Sequence, residues 1–163
     1  MEYRDLYDIN RNLTGEKIIK GEEIPDNRAI LMVVIFIENS KGQFLMQKRS
    51  AEKGGLWATT GGHPKAGETS LEGVLTECGE ELGIEITNPT LFKKASGKKA
   101  FCDLYYLKQD IDLNDIIIQE EEVDEVKWLT VEEIEELNQN GKFNKGHYMM
   151  FKDCLEFLNK KIS

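Results

Sequence analysis

Three carboxylates lie close together in one segment of the chain, at Glu77, Glu80 and Glu81. If this segment is helical, the three side chains share a face, because an α-helix has about 3.6 residues per turn. Like charges at this spacing repel and destabilise a helix. A hard divalent cation such as Mg²⁺ would offset the repulsion, since it prefers oxygen ligands and bridges to substrate phosphates. The pattern predicts a metal site for phosphate chemistry, with a solvated acidic helix face as the alternative.

The helix that carries these carboxylates has clear start and stop signals. Thr69 and Glu72 have the spacing of a capping box, and Gly83 is typical of a helix C-terminus. Between these signals, the apolar residues follow helical periodicity, at Leu71, Val74, Leu75, Cys78 and Leu82.

The flanking segments predict strands and helices that do not alternate strictly. Apolar or β-branched runs predict a hairpin from residues 3–7 and 17–20, followed by strands at 29–37, 43–48, 91–94, 100–107 and 126–129. Helices are predicted at 130–138 and 145–160. We expect an α/β (α+β) protein with a mixed sheet between helices. It should form one domain over residues 1–163, with a hairpin and lead-in at 1–28 and a core at 29–163.

Composition and charge exclude several classes of partner and location. The 163 residues are 40% hydrophobic and carry a net charge of −9 with a pI near 4.9, which disfavours nucleic acid polymers as partners. No apolar run reaches the roughly 18 residues of a membrane span. The N-terminus lacks the pattern of an export signal, so the cytoplasm is expected. Three widely spaced cysteines do not make a disulfide framework and are expected to be buried thiols.

At this point the residues resemble the Nudix hydrolase signature. That signature is Gly, five residues, Glu, seven residues, then Arg-Glu-U-x-Glu-Glu-x-Gly-U, where U is a bulky apolar residue. The matching positions are Gly62, Glu68, Glu77, Glu80, Glu81, Gly83 and Ile84. The resemblance implies a Nudix fold and a hydrolase that cleaves a diphosphate linkage in a nucleoside diphosphate derivative or a similar small phosphorylated metabolite. It also implies Mg²⁺, with Mn²⁺ as a substitute, and dimerisation through the hairpin.

The same resemblance assigns roles to individual residues. The metal ligands are Glu77, Glu80 and Glu81, with the Gly62 carbonyl as a fourth donor, and Glu68 supports the loop before the helix. Glu122, six residues before Trp128, is the best match for the further acidic residue that the family places near the metal and water. Glu120 and Glu121 are substitutes for this role, and an acidic surface loop is the alternative. The general base is left open between Glu77 and Glu122.

One signature position departs from the family. The arginine that braces the acidic residues is replaced by Thr76, which has no charge and makes no bidentate contact with a carboxylate. Catalytic efficiency is therefore in question, and a weakened, nucleotide-binding Nudix module is one alternative function.

The flanks resemble Nudix proteins related to isopentenyl diphosphate isomerase, from about Glu2 to the region of Trp128. Arg49 and Lys53 match diphosphate-binding cations, and His63 matches a metal-binding histidine, although a histidine bonded within a turn explains it as well. The substrate-binding set is then Arg49, Lys53, Gly61, Gly62 and His63. Gly61 stands where the isomerase has its catalytic cysteine, which counts against isomerase activity, the second alternative.

Overall fold

A computed structural model describes residues 2–160 of the chain. It contains a two-stranded hairpin, a seven-stranded sheet and three α-helices. The elements in chain order are β1 (Tyr3–Tyr7), β2 (Leu13–Ile19), β3 (Ile30–Glu38), β4 (Phe44–Arg49), β5 (Trp57–Ala58), β6 (Thr60–Gly62), α1 (Ser70–Leu82), β7 (Thr90–Ser96), β8 (Ala100–Lys108), β9 (Val123–Leu129), α2 (Val131–Gln139) and α3 (Lys145–Phe157).

The large sheet is mixed and opens at its centre. Strand β3 pairs with β8 in parallel, and the other strand pairs are antiparallel. Strands β3 and β4 share only the Glu38–Phe44 pair, next to the turn that joins them. Beyond it they diverge, because β6 pairs with β3 at Val33–Ile35 while β9 runs along β4. The divergence leaves space between strands at the end of the sheet where β6 meets α1.

Side chains of the sheet alternate between two apolar layers. On β3, Val34 and Phe36 pack with the helices α2 and α3, whereas Val33 and Ile35 pack with α1. Successive strand residues point to opposite faces, so the nearly continuous apolar run of β3 is the expected sequence of a strand covered on both faces. The predicted mixed sheet between helices is confirmed, and all three cysteines are buried thiols.

The predicted ends of α1 are also confirmed. The Thr69 hydroxyl accepts the Glu72 N–H, and the Glu72 carboxylate accepts the Thr69 N–H, which makes the reciprocal capping box. Gly83 ends the helix in the left-handed region, at φ 64°. The final helix ends at Phe157, three residues before its predicted end at residue 160.

The hairpin β1–β2 is attached to the core at two places. Near its turn, the Arg11 guanidinium forms a bidentate ion pair with Asp103 of β8, at 2.8 and 2.5 Å. At its other end, strand β1 accepts hydrogen bonds from the loop before α1. The Ala66 N–H donates to the Tyr3 carbonyl, and the Gly67 N–H donates to the Asp5 carboxylate. None of the α-helices within residues 2–160 has the length and apolar character needed to cross a bilayer.

Candidate active site

A cavity of about 320 Å³ lies where β6, the C-terminal half of α1, the hairpin and the loop before β9 meet. Its lining is rich in charge of both signs. The carboxylates are Glu2, Glu77, Glu80, Glu81 and Glu122, the cations are Arg4, Lys20, Arg49 and Lys53, and the remaining residues are Gly61, Gly62, His63 and Gln119. All nine of the predicted catalytic, metal-binding and substrate-binding residues therefore line one cavity.

Close backbone packing explains the two glycines of β6. A Cβ at Gly62 would lie 2.3 Å from the carboxylate carbon of Glu77, so a larger residue would displace that side chain. A Cβ at Gly61 would lie 2.6 Å from the Val33 carbonyl oxygen of the adjacent strand. The absence of a side chain at Gly62 therefore makes space for the Glu77 carboxylate, and at Gly61 it allows β6 to pack closely against β3.

Among the carboxyl groups of the cavity, Glu77 and Glu81 have the most strongly raised pKa values. Glu81 is only 4% exposed, and one of its oxygens accepts a hydrogen bond from Gln47 Nε2 at 3.3 Å while the other is buried without a partner. Burial raises the pKa of Glu81 to about 7, against the opposing positive charge of Arg49. Burial, followed by repulsion from Glu81 and Glu80, raises the pKa of Glu77 to about 8. Nearby positive charges only partly offset these effects, and neither carboxyl group forms an ion pair within residues 2–160.

Two other carboxylates of the cavity, Glu80 and Glu122, have cationic partners. Lys65 Nζ lies 2.5 Å from Glu80 Oε1. Both oxygens of Glu122 face cations, with Arg49 Nη2 at 3.0 Å and Lys53 Nζ at 3.5 Å. Within the described residues 2–160, no three Asp, Glu, His or Cys side chains are arranged to hold a metal ion as they stand. The predicted ligands share one cavity but are not gathered around one point.

Glu68 and Thr76 lie outside the cavity lining but contact each other. The Thr76 hydroxyl donates to Glu68 Oε2 at 2.7 Å, and the Lys65 backbone N–H donates to Glu68 Oε1, also at 2.7 Å. Glu68 therefore joins the loop to the helix α1.

The two histidines have different environments. His63 lines the cavity, and burial together with the nearby charges of Arg4 and Lys20 lowers its pKa to about 4. His147 lies on α3, where Nδ1 accepts the Thr59 N–H at 3.2 Å. His147 is therefore a packing residue that bonds the Thr59 backbone.

Sequence reasoning missed four residues of the cavity, namely Glu2, Arg4, Lys20 and Gln119. Three of them belong to the hairpin or its ends. They reach the cavity because the hairpin folds back onto the loop before α1, a contact that spans about sixty residues of sequence, as between Tyr3 and Ala66. No local pattern in residues 2–20 signals that contact.

Comparison with known proteins agrees with the fold and the signature. The family model of the NUDIX domain matches residues 29–154. An uncharacterised Nudix hydrolase of Listeria monocytogenes is 37% identical over 149 residues, which cover 88% of each chain. The isopentenyl-diphosphate Delta-isomerase of Escherichia coli is 38% identical over 68 residues, which cover 39% of this chain and 37% of the isomerase. The chain belongs to the Nudix domain family and is a hydrolase of the Nudix pyrophosphohydrolase type.

Solved structures support the same fold. A crystal structure from Deinococcus radiodurans has a TM-score of 0.71 and 26% identity, and covers 88% of this chain and 93% of its own. A MutT protein from Methanosarcina mazei has a TM-score of 0.61 and 26% identity, with 82% and 96% covered. The NUDIX domain of Shewanella oneidensis NrtR, solved with ADP ribose, has a TM-score of 0.67 at 16% identity, with 80% and 88% covered. At that identity the last likeness concerns the fold alone.

Proposed function

We propose that this protein hydrolyses a diphosphate linkage in a nucleoside diphosphate derivative or a similar small phosphorylated metabolite, with Mg²⁺ as the cofactor and Mn²⁺ as a substitute. The observation that carries the proposal is the buried, unpartnered oxygen of Glu81 beside the Glu77 carboxyl group. Two neighbouring buried carboxyl groups destabilise each other when both are ionised. A bound divalent cation removes that penalty.

The residues present fit such an ion. Glu77, Glu80 and Glu81 supply carboxylate oxygens, and the Gly62 carbonyl supplies a neutral oxygen, which is the donor set that Mg²⁺ and Mn²⁺ prefer. When bound, the ion neutralises diphosphate oxygens and favours an ionised, correctly placed water nucleophile. Glu80 must leave Lys65 to join this set, which is feasible because both side chains are largely exposed, at 45% and 41%.

Arg49 and Lys53 are well placed to bind the substrate's phosphates. In the free protein both face Glu122, so an arriving diphosphate exchanges one anion for another at the same two cations. A guanidinium matches phosphate oxygens in a bidentate manner. The exchange frees the Glu122 carboxylate inside the cavity, where it becomes available to the metal or to water. The general base remains assigned to the pair Glu77 and Glu122.

The decisive experiment is a substrate panel of nucleoside diphosphate derivatives with Mg²⁺ or Mn²⁺, run on the wild type, Glu80→Gln and Glu81→Gln. We expect each variant to lose at least about 100-fold in kcat/KM, since a lost metal ligand removes several kcal/mol of transition-state stabilisation. Glu85→Gln is the matched control, because Glu85 is an exposed carboxylate just beyond the same helix. Full activity of both site variants, with the fold intact by circular dichroism, would refute the ligand assignment.

The isomerase alternative has a separate test. Gly61 lies on β6 where the isomerase resemblance would require a cysteine, and the isomerase match covers only part of the chain. Formation of dimethylallyl diphosphate from isopentenyl diphosphate would favour the isomerase. A nucleotide bound tightly without turnover across the panel would instead favour the binding module.

We further propose that the protein acts on small molecules in the cytoplasm and forms a homodimer. The net charge of −9 supports small substrates over nucleic acid polymers. The dimer rests on the exposed apolar side chains of the hairpin, which include Tyr3, Ile9 and Leu13. Light scattering after size exclusion gives the mass, and a monomer at every concentration tested contradicts the dimer.

A further inference from the structure

We propose that Arg4, together with Lys20, forms a second anion-binding subsite on the hairpin side of the active-site cavity. It takes an additional phosphate of the substrate, beyond the diphosphate that is cleaved. The substrate class is then a nucleoside diphosphate derivative with one more phosphate elsewhere in the molecule. The inference rests on the proposed function for the diphosphate itself, but the subsite is defined by residues that the proposed reaction does not use.

The first argument concerns which positive charges remain available. Of the four cations that line the cavity, Arg49 and Lys53 both contact Glu122. Arg4 has only a distant carboxylate, with its Nε 4.0 Å from Glu2 Oε2, and that Nε is buried without any hydrogen-bond acceptor. Lys20 makes no ion pair within residues 2–160. The uncompensated positive charge of the cavity therefore lies on the hairpin.

A buried N–H of a guanidinium without an acceptor is unusual. Leaving such a charged donor unsatisfied costs roughly as much as a lost charged hydrogen bond, so native structures rarely retain one without a role. The Arg4 side chain is 14% exposed and lines the cavity. An anion that enters the cavity would supply the missing acceptor.

The second argument concerns rigidity. The residues on either side of Arg4 are both bonded to the loop before α1. The Ala66 N–H donates to the Tyr3 carbonyl at 2.8 Å, and the Gly67 N–H donates to Asp5 Oδ2 at 2.9 Å. Lys20 is held against the same strand, because its N–H donates to the Glu2 carbonyl at 3.0 Å. Both cations therefore start from fixed backbone, which lowers the entropic cost of binding an anion.

The third argument concerns position. Arg4 and Lys20 lie near His63, on which both exert a positive electrostatic influence. Arg49 and Lys53 instead contact Glu122, in the loop before β9. A cavity of about 320 Å³ with cations at two separate places suits a ligand with anionic groups at two separate places.

The first test measures binding without catalysis. Inorganic phosphate is titrated by calorimetry, in EDTA, into Arg49→Met, which removes the guanidinium assigned to the cleaved diphosphate, and into the double variants Arg49→Met/Arg4→Met and Arg49→Met/Lys20→Met. We expect the added Arg4→Met to weaken binding by about tenfold or more and the added Lys20→Met by a smaller factor, as for lost charge-assisted hydrogen bonds. Arg49→Met/Arg28→Met is the matched control, since Arg28 pairs with Glu16 away from the cavity. Lys20 is exposed, so its variant stays informative if the Arg4 variant does not fold. The same affinity in the folded double variants as in Arg49→Met overturns the subsite.

The second test measures the substrate class with two matched pairs, NADP against NAD and coenzyme A against dephospho-coenzyme A. Members of a pair share the cleaved diphosphate and differ by one phosphate. We expect the wild type to favour the phosphorylated member of at least one pair by about tenfold in kcat/KM, and Arg4→Met to lose that preference. Hydrolysis of both members at equal rates overturns the substrate class. No hydrolysis of any member, with phosphate binding that still depends on Arg4, overturns the substrate class but leaves the subsite standing, and the proposed function is then decided by the wider substrate panel.

Discussion

The Thr76 hydroxyl donates a hydrogen bond to Glu68 Oε2 at 2.7 Å, at the signature position where the family has an arginine. The second oxygen of Glu68 is bonded by the Lys65 N–H, and the Lys65 ammonium lies 2.5 Å from Glu80. The contacts expected of one arginine are therefore divided between a threonine of α1 and a lysine of the preceding loop. The brace between loop and helix survives the substitution, although its charged part comes from a different residue.

This relationship predicts the behaviour of three variants at one position. Thr76→Val is isosteric but leaves Glu68 Oε2 without its donor, so we expect a loss of about 1–2 kcal/mol in the free energy of unfolding and about a tenfold loss in kcat/KM. Thr76→Ser keeps the donor and should remain close to the wild type. Thr76→Arg should gain less than about threefold, because both Glu68 oxygens already have donors.

Urea unfolding and kinetics on the best substrate of the panel check these expectations. Equal behaviour of Thr76→Val and Thr76→Ser would show that the hydroxyl does not matter. A gain of an order of magnitude or more in Thr76→Arg would show instead that the natural sequence is a weakened enzyme.

The two glycines of β6 predict different defects. Gly62→Ala places a methyl group against the flexible end of Glu77, so the side chain moves away and the proposed metal site is distorted. Gly61→Ala places a methyl group against the Val33 carbonyl, which belongs to a central strand. We expect Gly62→Ala to weaken Mg²⁺ binding by about tenfold or more and to lower the free energy of unfolding by less than about 1 kcal/mol. We expect Gly61→Ala to lower the free energy of unfolding by about 1–3 kcal/mol.

Calorimetric titration with Mg²⁺ and urea unfolding separate the two effects. If Gly62→Ala binds Mg²⁺ as the wild type does, then Glu77 is not a ligand or reaches the ion from another direction. Unchanged stability of Gly61→Ala would mean that β6 is not held tightly against β3.

The buried ion pair between Arg11 and Asp103 predicts a large stability effect. The Asp103 side chain is 1% exposed and that of Arg11 is 25% exposed, so removal of the arginine leaves an almost completely buried carboxylate unpaired. Loss of one partner of such a pair costs about 3–5 kcal/mol. We expect the loss of unfolding free energy in Arg11→Met to lie in or slightly below this range. The double variant Arg11→Met/Asp103→Leu should recover most of that loss. A double variant no more stable than Arg11→Met contradicts this account.

The sequence was most informative where structure is local. The capping box at Thr69, the helix end at Gly83 and the two-sided burial of β3 depend on neighbours within a few residues. Three of the four signature carboxylates, Glu77, Glu80 and Glu81, also share the cavity, whereas Glu68 lies outside its lining. The bonds from Tyr3 and Asp5 to the loop before α1 depend on tertiary docking and have no local pattern. The cationic side of the cavity at Arg4 was therefore not predictable.

The burial of His147 predicts a specific loss of stability in acid. Its Nδ1 accepts the Thr59 N–H, and burial, aided by the charge of Arg49, lowers its pKa to about 4 in the folded protein from about 6.5. Between these values the unfolded chain binds the proton more readily. The stability that neutral His147 contributes is thus complete above about pH 6.5 and is lost as the pH falls towards 4.

His147→Gln removes the titrating group but keeps an acceptor for the Thr59 N–H. As the pH falls below 6.5, we expect the wild type to lose unfolding free energy relative to His147→Gln by up to about 1.4 kcal/mol per pH unit. From pH 7 to 8 we expect the difference in unfolding free energy between the two proteins to stay constant. Urea unfolding at pH 8, 7, 6 and 5 measures this difference. Parallel pH profiles of the two proteins would mean that His147 is accessible enough to titrate normally in the folded state, and that its bond to Thr59 does not hold it neutral.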